Sequence, residues 1–179
     1  MSNKEVEKEE GWETEVDEEE AQENKFLMCK LGNEVYGIDI TYVTDIIELQ
    51  KITEVPDMPD YVKGVINLRG QVIPVIDLRL RFHMEGREYD DRTVITVVNI
   101  RDASIGFIVD TATEVQDIPG SNIDPAPSFQ GREEKNAYIS GLGKIDEQVI
   151  ILLDVEKLIH HEEAELLSSG ATGASGGGK

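Results

Sequence analysis

Tyr61-Val62-Lys63-Gly64, followed by Gln71-Val72-Ile73-Pro74-Val75-Ile76-Asp77-Leu78, returns as Tyr138-Ile139-Ser140-Gly141 and Gln148-Val149-Ile150-Ile151-Leu152-Leu153-Asp154-Val155. The offset is constant from Tyr61 and Tyr138 through Leu78 and Val155, with no gap. An earlier likeness, at a shorter constant offset, relates Tyr36-Gly37-Ile38 and Val43-Thr44-Asp45-Ile46 to Ile105-Gly106-Phe107 and Ala112-Thr113-Glu114-Val115. Matching Tyr, Gly, Gln and Asp at constant spacing do not come from shared Val and Ile content, so the body of the chain is a duplicated unit. The difference between the two offsets falls in the stretch 119–136, which reads as a longer loop.

Outward from the repeat, short Val/Ile-rich runs are punctuated by Gly, Pro, Asn and Asp, the pattern of strands in succession. The runs predict strands over 25–31, 35–40, 46–52, 64–68, 72–76, 93–100, 105–110, 115–117, 139–144 and 149–153. Gly32-Asn33 and Arg69-Gly70 supply hairpin turns, where positive φ is needed. Asp154 before Val155, Leu158, Ile159, Leu166 and Leu167 predicts a C-terminal helix with a carboxylate N-cap. Five-stranded units of this size bury too little surface to stand alone. The expected fold is therefore mainly β, two small barrels packed across a common core, with a groove where Val43 to Ile46 meets Ala112 to Val115. Ile46 itself reads as ordinary core.

The chain has 179 residues and a net charge of -20, which disfavours nucleic acid or an anionic membrane as the main partner. Residues 1–24 hold eleven acids against Lys4 and Lys8 and few aliphatics, so they read as a disordered tail in which Trp12 is an isolated ring. Residues 168–179 are Gly/Ser-rich and read as a flexible tail. The remaining 25–167 is the folded body. A lone Cys29, no apolar run long enough to span a bilayer and no secretory layout at the start make the cytoplasm the expected compartment.

Catalytic chemistry has no foothold in this pattern. His83 stands alone, and adjacent His160 and His161 on a helix point about 100° apart, too divergent to share a metal. Gly141-Leu142-Gly143-Lys144 lacks the spacing of a phosphate loop, and Ser140 lacks the preceding Gly of a nucleophile elbow. Cys29 sits in a strand and reads as a packing residue. Asp45 and Arg69, both near strand ends of the first unit, are placed to pair as carboxylate and planar fork.

The runs Val35-Tyr36-Gly37-Ile38-Asp39-Ile40, Pro59-Asp60-Tyr61-Val62-Lys63-Gly64-Val65-Ile66-Asn67-Leu68-Arg69-Gly70 and Val72-Ile73-Pro74-Val75-Ile76-Asp77-Leu78-Arg79 resemble the CheW family of chemotaxis coupling proteins. Pro125-Ala126-Pro127-Ser128-Phe129 and Tyr138-Ile139-Ser140-Gly141-Leu142-Gly143 resemble it too, and the likeness covers about 25–167. It implies two SH3-like five-stranded barrels, the fold of the regulatory domain of the histidine kinase CheA. It also implies a non-catalytic scaffold, without cofactor or metal, that couples the cytoplasmic tips of methyl-accepting chemoreceptors to CheA at the inner face of the membrane. By the same resemblance Val43, Asp45, Arg69, Ala112 and Val115 face receptors, and Ile52 and Phe129 face the kinase. An exposed aromatic in the Pro-rich loop suits an interface anchor.

Overall fold

The structure is a computed structural model that describes residues 24–126 and 138–159. The chain runs β1 (Lys25–Leu31), β2 (Glu34–Asp39), β3 (Val43–Glu48), β4 (Val62–Leu68), β5 (Gln71–Asp77), α1 (Leu78–Arg81), β6 (Val94–Ile100), β7 (Ala103–Val109), β8 (Thr111–Asp117), β9 (Ile123–Pro125), β10 (Ile139–Ile145), β11 (Gln148–Leu153) and α2 (Val155–Leu158). A 3-10 turn at Gly120–Asn122 precedes β9. The fold is mainly β, in two mixed sheets of order β8-β1-β2-β11-β10-β9 and β3-β6-β7-β5-β4.

Each two-residue turn between consecutive antiparallel strands forces its own backbone. Leu68 pairs with Gln71, leaving Arg69 at φ 53° and Gly70 at φ 84°, the positive-φ pair that matches strand twist. Asn67 supports the turn, its Oδ1 accepting from the Gly70 amide at 2.9 Å. Arg101, Asp102 and Asp146 take positive φ in the β6–β7 and β10–β11 turns, which no glycine marked in the sequence.

The duplication is visible in the hydrogen-bond register. Val75 opposite Gly106 in the parallel β5–β7 pair becomes Leu152 opposite Gly37 in the parallel β11–β2 pair, at the two offsets found in the sequence. Val43 opposite Val98 becomes Ala112 opposite Cys29, and the β3–β6 and β1–β8 pairs carry register shifts at equivalent places. The units are not separate, however. β3 follows the β1–β2 hairpin but pairs with β6, while β8 follows β6–β7 but pairs with β1, so each unit lends a hairpin to one sheet and its remaining strands, three from the first unit and four from the second with the short β9, to the other.

Three apolar clusters fill the molecule. Phe26, Met28, Ile118, Ile150 and Leu152 lie inside the first sheet, and Ile66, Ile73, Val75, Ile95, Val97 and Ile108 inside the second. The third joins the sheets through Leu27, Cys29, Ile38, Ile76, Val98, Phe107, Leu153 and Leu158 among others. Central strands therefore bury both faces, which is why they read as unbroken Val/Ile runs instead of alternating ones. The repeated motif glycine has a steric cause: a Cβ on Gly64 would sit 2.0 Å from the Thr53 carbonyl oxygen, and φ is 140°.

Several expectations need correction. The strand predicted over 46–52 is β3 at Val43–Glu48, because Leu49 and Ile52 reach the inner cluster from irregular chain after the ladder ends. β8 starts at Thr111, not 115, its polar first residues suiting an edge strand. The C-terminal helix is capped by Asp154 as expected, its carboxylate accepting from the Glu156 and Lys157 amides, but Ile159 is already extended. Leu166 and Leu167 lie outside the described residues, as do His160, His161, the two tails up to Glu23 and from Ser168, and most of the long loop. The ladders close neither sheet into a barrel among the described residues.

One charged contact crosses between the sheets. Arg79 Nε donates to Asp110 Oδ1 at 2.7 Å and Nη2 to Oδ2, while the Gly32 amide of the β1–β2 turn donates to the same Oδ2 at 2.8 Å. Both side chains are largely buried, so neither can be removed without stranding the other. Burial alone would raise the Asp110 carboxyl, but the bonds from Arg79 and Gly32 and the charges of Arg79 and Arg87 outweigh it and hold it below the usual carboxylate value. A depressed folded pKa contributes stability above the unfolded value that is lost as pH falls through the folded one. Asp110→Asn is expected to cost about 2–4 kcal/mol in urea unfolding at pH 7. The difference from wild type should begin to shrink below about pH 4, where Asp110 protonates in the unfolded state, and disappear as pH falls through its lower folded value.

Candidate functional site

β3 and β8 are the outer strands of their sheets, and the sheet order leaves one flank of each unpaired. The register shift between Val43 and Asp45 changes which residues share a face. Ile47 turns into the inner cluster of its sheet, so its neighbour Ile46 turns out and is 48% exposed. Its repeat mate Val115 is 46% exposed for the same reason. Val43 and its mate Ala112 are half-buried and pack on the cluster that joins the sheets. Val43 and Ala112 thus pack on the same cluster, while Ile46 and Val115 are displayed on the strands that carry them. The reading of Ile46 as core is wrong. The repeat held the signal, since it matches Ile46 to Val115.

Asp45 and Arg69 form the expected pair, Arg69 Nη2 donating to Asp45 Oδ1 at 3.0 Å. Asp45 lies on one edge strand, and Arg69 lies in the turn of the hairpin that forms the other edge. The sheet must therefore curl until its opposite margins touch. In the other sheet a Cβ on Gly143 of β10 would meet Ile118 Cδ1, just beyond β8, at 2.9 Å, so that sheet curls as well. The ion pair itself is not repeated: Glu114 and Asp146 occupy the equivalent positions, and Glu114 instead accepts from Gln116 Nε2. Arg69 is 74% exposed, so water and salt screen its charge and the guanidinium remains available to a partner.

Ile52 is half-buried against the inner cluster of the second sheet, anchored where Thr53 bridges Val65. It stands apart from Val43 and Ala112, which pack on a different cluster. Phe129 lies outside the described residues. Cys29 is fully buried, and burial pushes its thiol up to about 12. The packing role expected of it holds.

The architecture is thus a pair of curled sheets that exchange strands and expose apolar residues at their edge strands. The model of the CheW-like domain matches residues 25–163, and the chain belongs to that family. It is 41% identical over 145 residues to the chemotaxis protein CheW of Klebsiella aerogenes, covering 81% of this chain and 87% of that one. It is 33% identical over 141 residues to the CheW of Bacillus subtilis, covering 79% and 90%. Its structure resembles the crystal structure of the scaffolding protein TtCheW from Thermoanaerobacter tengcongensis with a TM-score of 0.71 at 33% identity, over 78% of this chain and 94% of that one.

Arg69→Ala is expected to change unfolding free energy by less than about 1 kcal/mol, since an exposed pair contributes little. Cys29 should remain unmodified by an aromatic disulfide reagent in native buffer and react at once in denaturant.

Proposed function

We propose that this chain is a chemotaxis scaffold that couples chemoreceptor tips to the regulatory domain of the histidine kinase CheA, making and breaking no bond itself. Family membership supports the chemotaxis scaffold role. The surface supports the mode of action: Ile46 and Val115 are related by the repeat and exposed on edge strands, and Asp45, on the first of these strands, holds the exposed planar cation of Arg69. That combination carries the reading, because exposed apolar residues together with a planar cation suit the amphipathic face of a helical hairpin. The receptor-facing set is Val43, Asp45, Arg69, Ala112 and Val115, joined by Ile46. Kinase contacts fall to Ile52 and to Phe129 of the long loop. Ile52 packs on a different cluster from Val43 and Ala112, which supports separate sites for the two partners.

The two curled sheets are SH3-like barrels in this reading, the second of five strands and the first of five with the short β9 added at its edge, supported by the cluster inside each and by Asp45–Arg69 across the margins of the second. The interacting unit spans about 25–167; the acidic residues 1–24 and the Gly/Ser-rich 168–179 flank it. The protein works in the cytoplasm, at receptor arrays on the inner face of the membrane. No described helix is long and apolar enough to cross it.

Reconstitution of receptor fragment, kinase and this chain tests the assignment. Arg69→Glu is expected to abolish receptor-dependent kinase activation while the thermal midpoint stays within a few degrees of wild type. Val115→Asp should act the same way. Full activation by both variants would remove the groove from the mechanism.

A further inference from the structure

Tyr61 and Tyr138, the aromatic residues that open the two copies of the repeated motif, converge on one guanidinium. Arg81 Cζ lies 5.6 Å from the Tyr61 ring centroid and 5.5 Å from that of Tyr138. Its Nη2 donates to the carbonyl of Leu158 at 3.0 Å, and Leu158 is Arg81's own repeat mate, at the same offset as Tyr138 from Tyr61. A side chain that bonds its own mate and touches a mated pair of rings stands close to the axis relating the two units. Next to it Phe82 stacks between Tyr36 of β2 at 5.3 Å and Tyr138 at 4.8 Å. Among the described residues no carboxylate pairs with Arg81, and its shielded Nε has no hydrogen-bond partner.

The cation is thus held chiefly by ring faces and one carbonyl, an arrangement that is directional because the planar group stacks. The ring partners lead into different sheets: Tyr61 precedes β4, while Tyr138 precedes β10. Tyr61 and Tyr138 are also fixed to the strand ends after them, since their carbonyls accept from the Asp77 amide at 2.8 Å and the Asp154 amide at 2.7 Å.

We propose that Arg81 is a positioning residue that fixes the angle between the two sheets, so that an event at a docking face on one is felt at the other. The inference rests on the scaffold reading above. It requires that Arg81 contact neither partner and act only through the rings and Leu158. The force that holds the apolar cluster between the sheets is non-directional. The stacked guanidinium adds a directional element near the axis, as Arg79–Asp110 does at the edge.

The test uses the full chain with nitroxides at Val72→Cys and Val149→Cys, exposed repeat mates on different sheets, with buried Cys29 left unlabelled. Electron–electron distance distributions between the labels are expected to be narrow in wild type, broader in Arg81→Lys and broadest in Arg81→Met. In the same variants, affinity for isolated kinase regulatory domain and for isolated receptor fragment should stay within about twofold, while receptor-dependent activation falls about fivefold or more. An unchanged distribution, unchanged activation, or an equal loss of affinity for either partner alone would overturn the proposal. If Arg81→Met fails to fold, Arg81→Lys decides by the same readings. A wild-type chain that binds neither partner would defeat the scaffold reading, and the distance distributions would still decide whether Arg81 sets the angle.

Discussion

Burial on both faces of the central strands is the constraint on which the molecule depends. A five-stranded sheet that curls on itself hides one face and leaves the other apolar and wet. Here the outer faces meet, and Cys29, Ile38, Ile76, Phe107 and Leu153 are removed from water by residues of the opposite sheet. Each such side chain contributes roughly 1.5–3 kcal/mol by leaving water. The exchange of β3 and β8 makes this burial obligatory, because neither sheet can form without strands of both units. The Arg79–Asp110–Gly32 contact then ties the end of one sheet to a turn of the other.

The near-twofold relation between the units explains both what is repeated and what is not. Backbone features recur: bulges at Val62–Gly64 and Ile139–Gly141, capping carboxylates at Asp77 and Asp154, and hydroxyl bonds from Thr44 and Thr113 to strand carbonyls across the bulge. These are demands of geometry, and geometry is shared. The surface ion pair does not recur, since Asp45 and Arg69 correspond to Glu114 and Asp146 in the other unit.

Two local contacts around the candidate site were readable before any coordinates. The Asp45–Arg69 pair followed from residue types and the hairpin turn, and Cys29 was rightly placed in packing. Ile46 was misjudged because an isoleucine among Val and Ile gives no sign of its side, and one inserted residue reverses the alternation. Arg81 was passed over altogether. Its ring partners belong to the two separate copies of the motif, far apart along the chain, and meet only near the axis.

The sequence by itself determined that the chain is a duplicated, strand-rich body, where most strands and turns lie, and the family to which it belongs. These are local or periodic properties, set by backbone preference, turn chemistry and spacing. Tertiary structure alone decided that the units exchange strands, which residues of β3 and β8 face outward, and that two distant tyrosines share one arginine. Each of those depends on which surfaces meet when apolar area leaves water, and spacing along the chain does not carry that information.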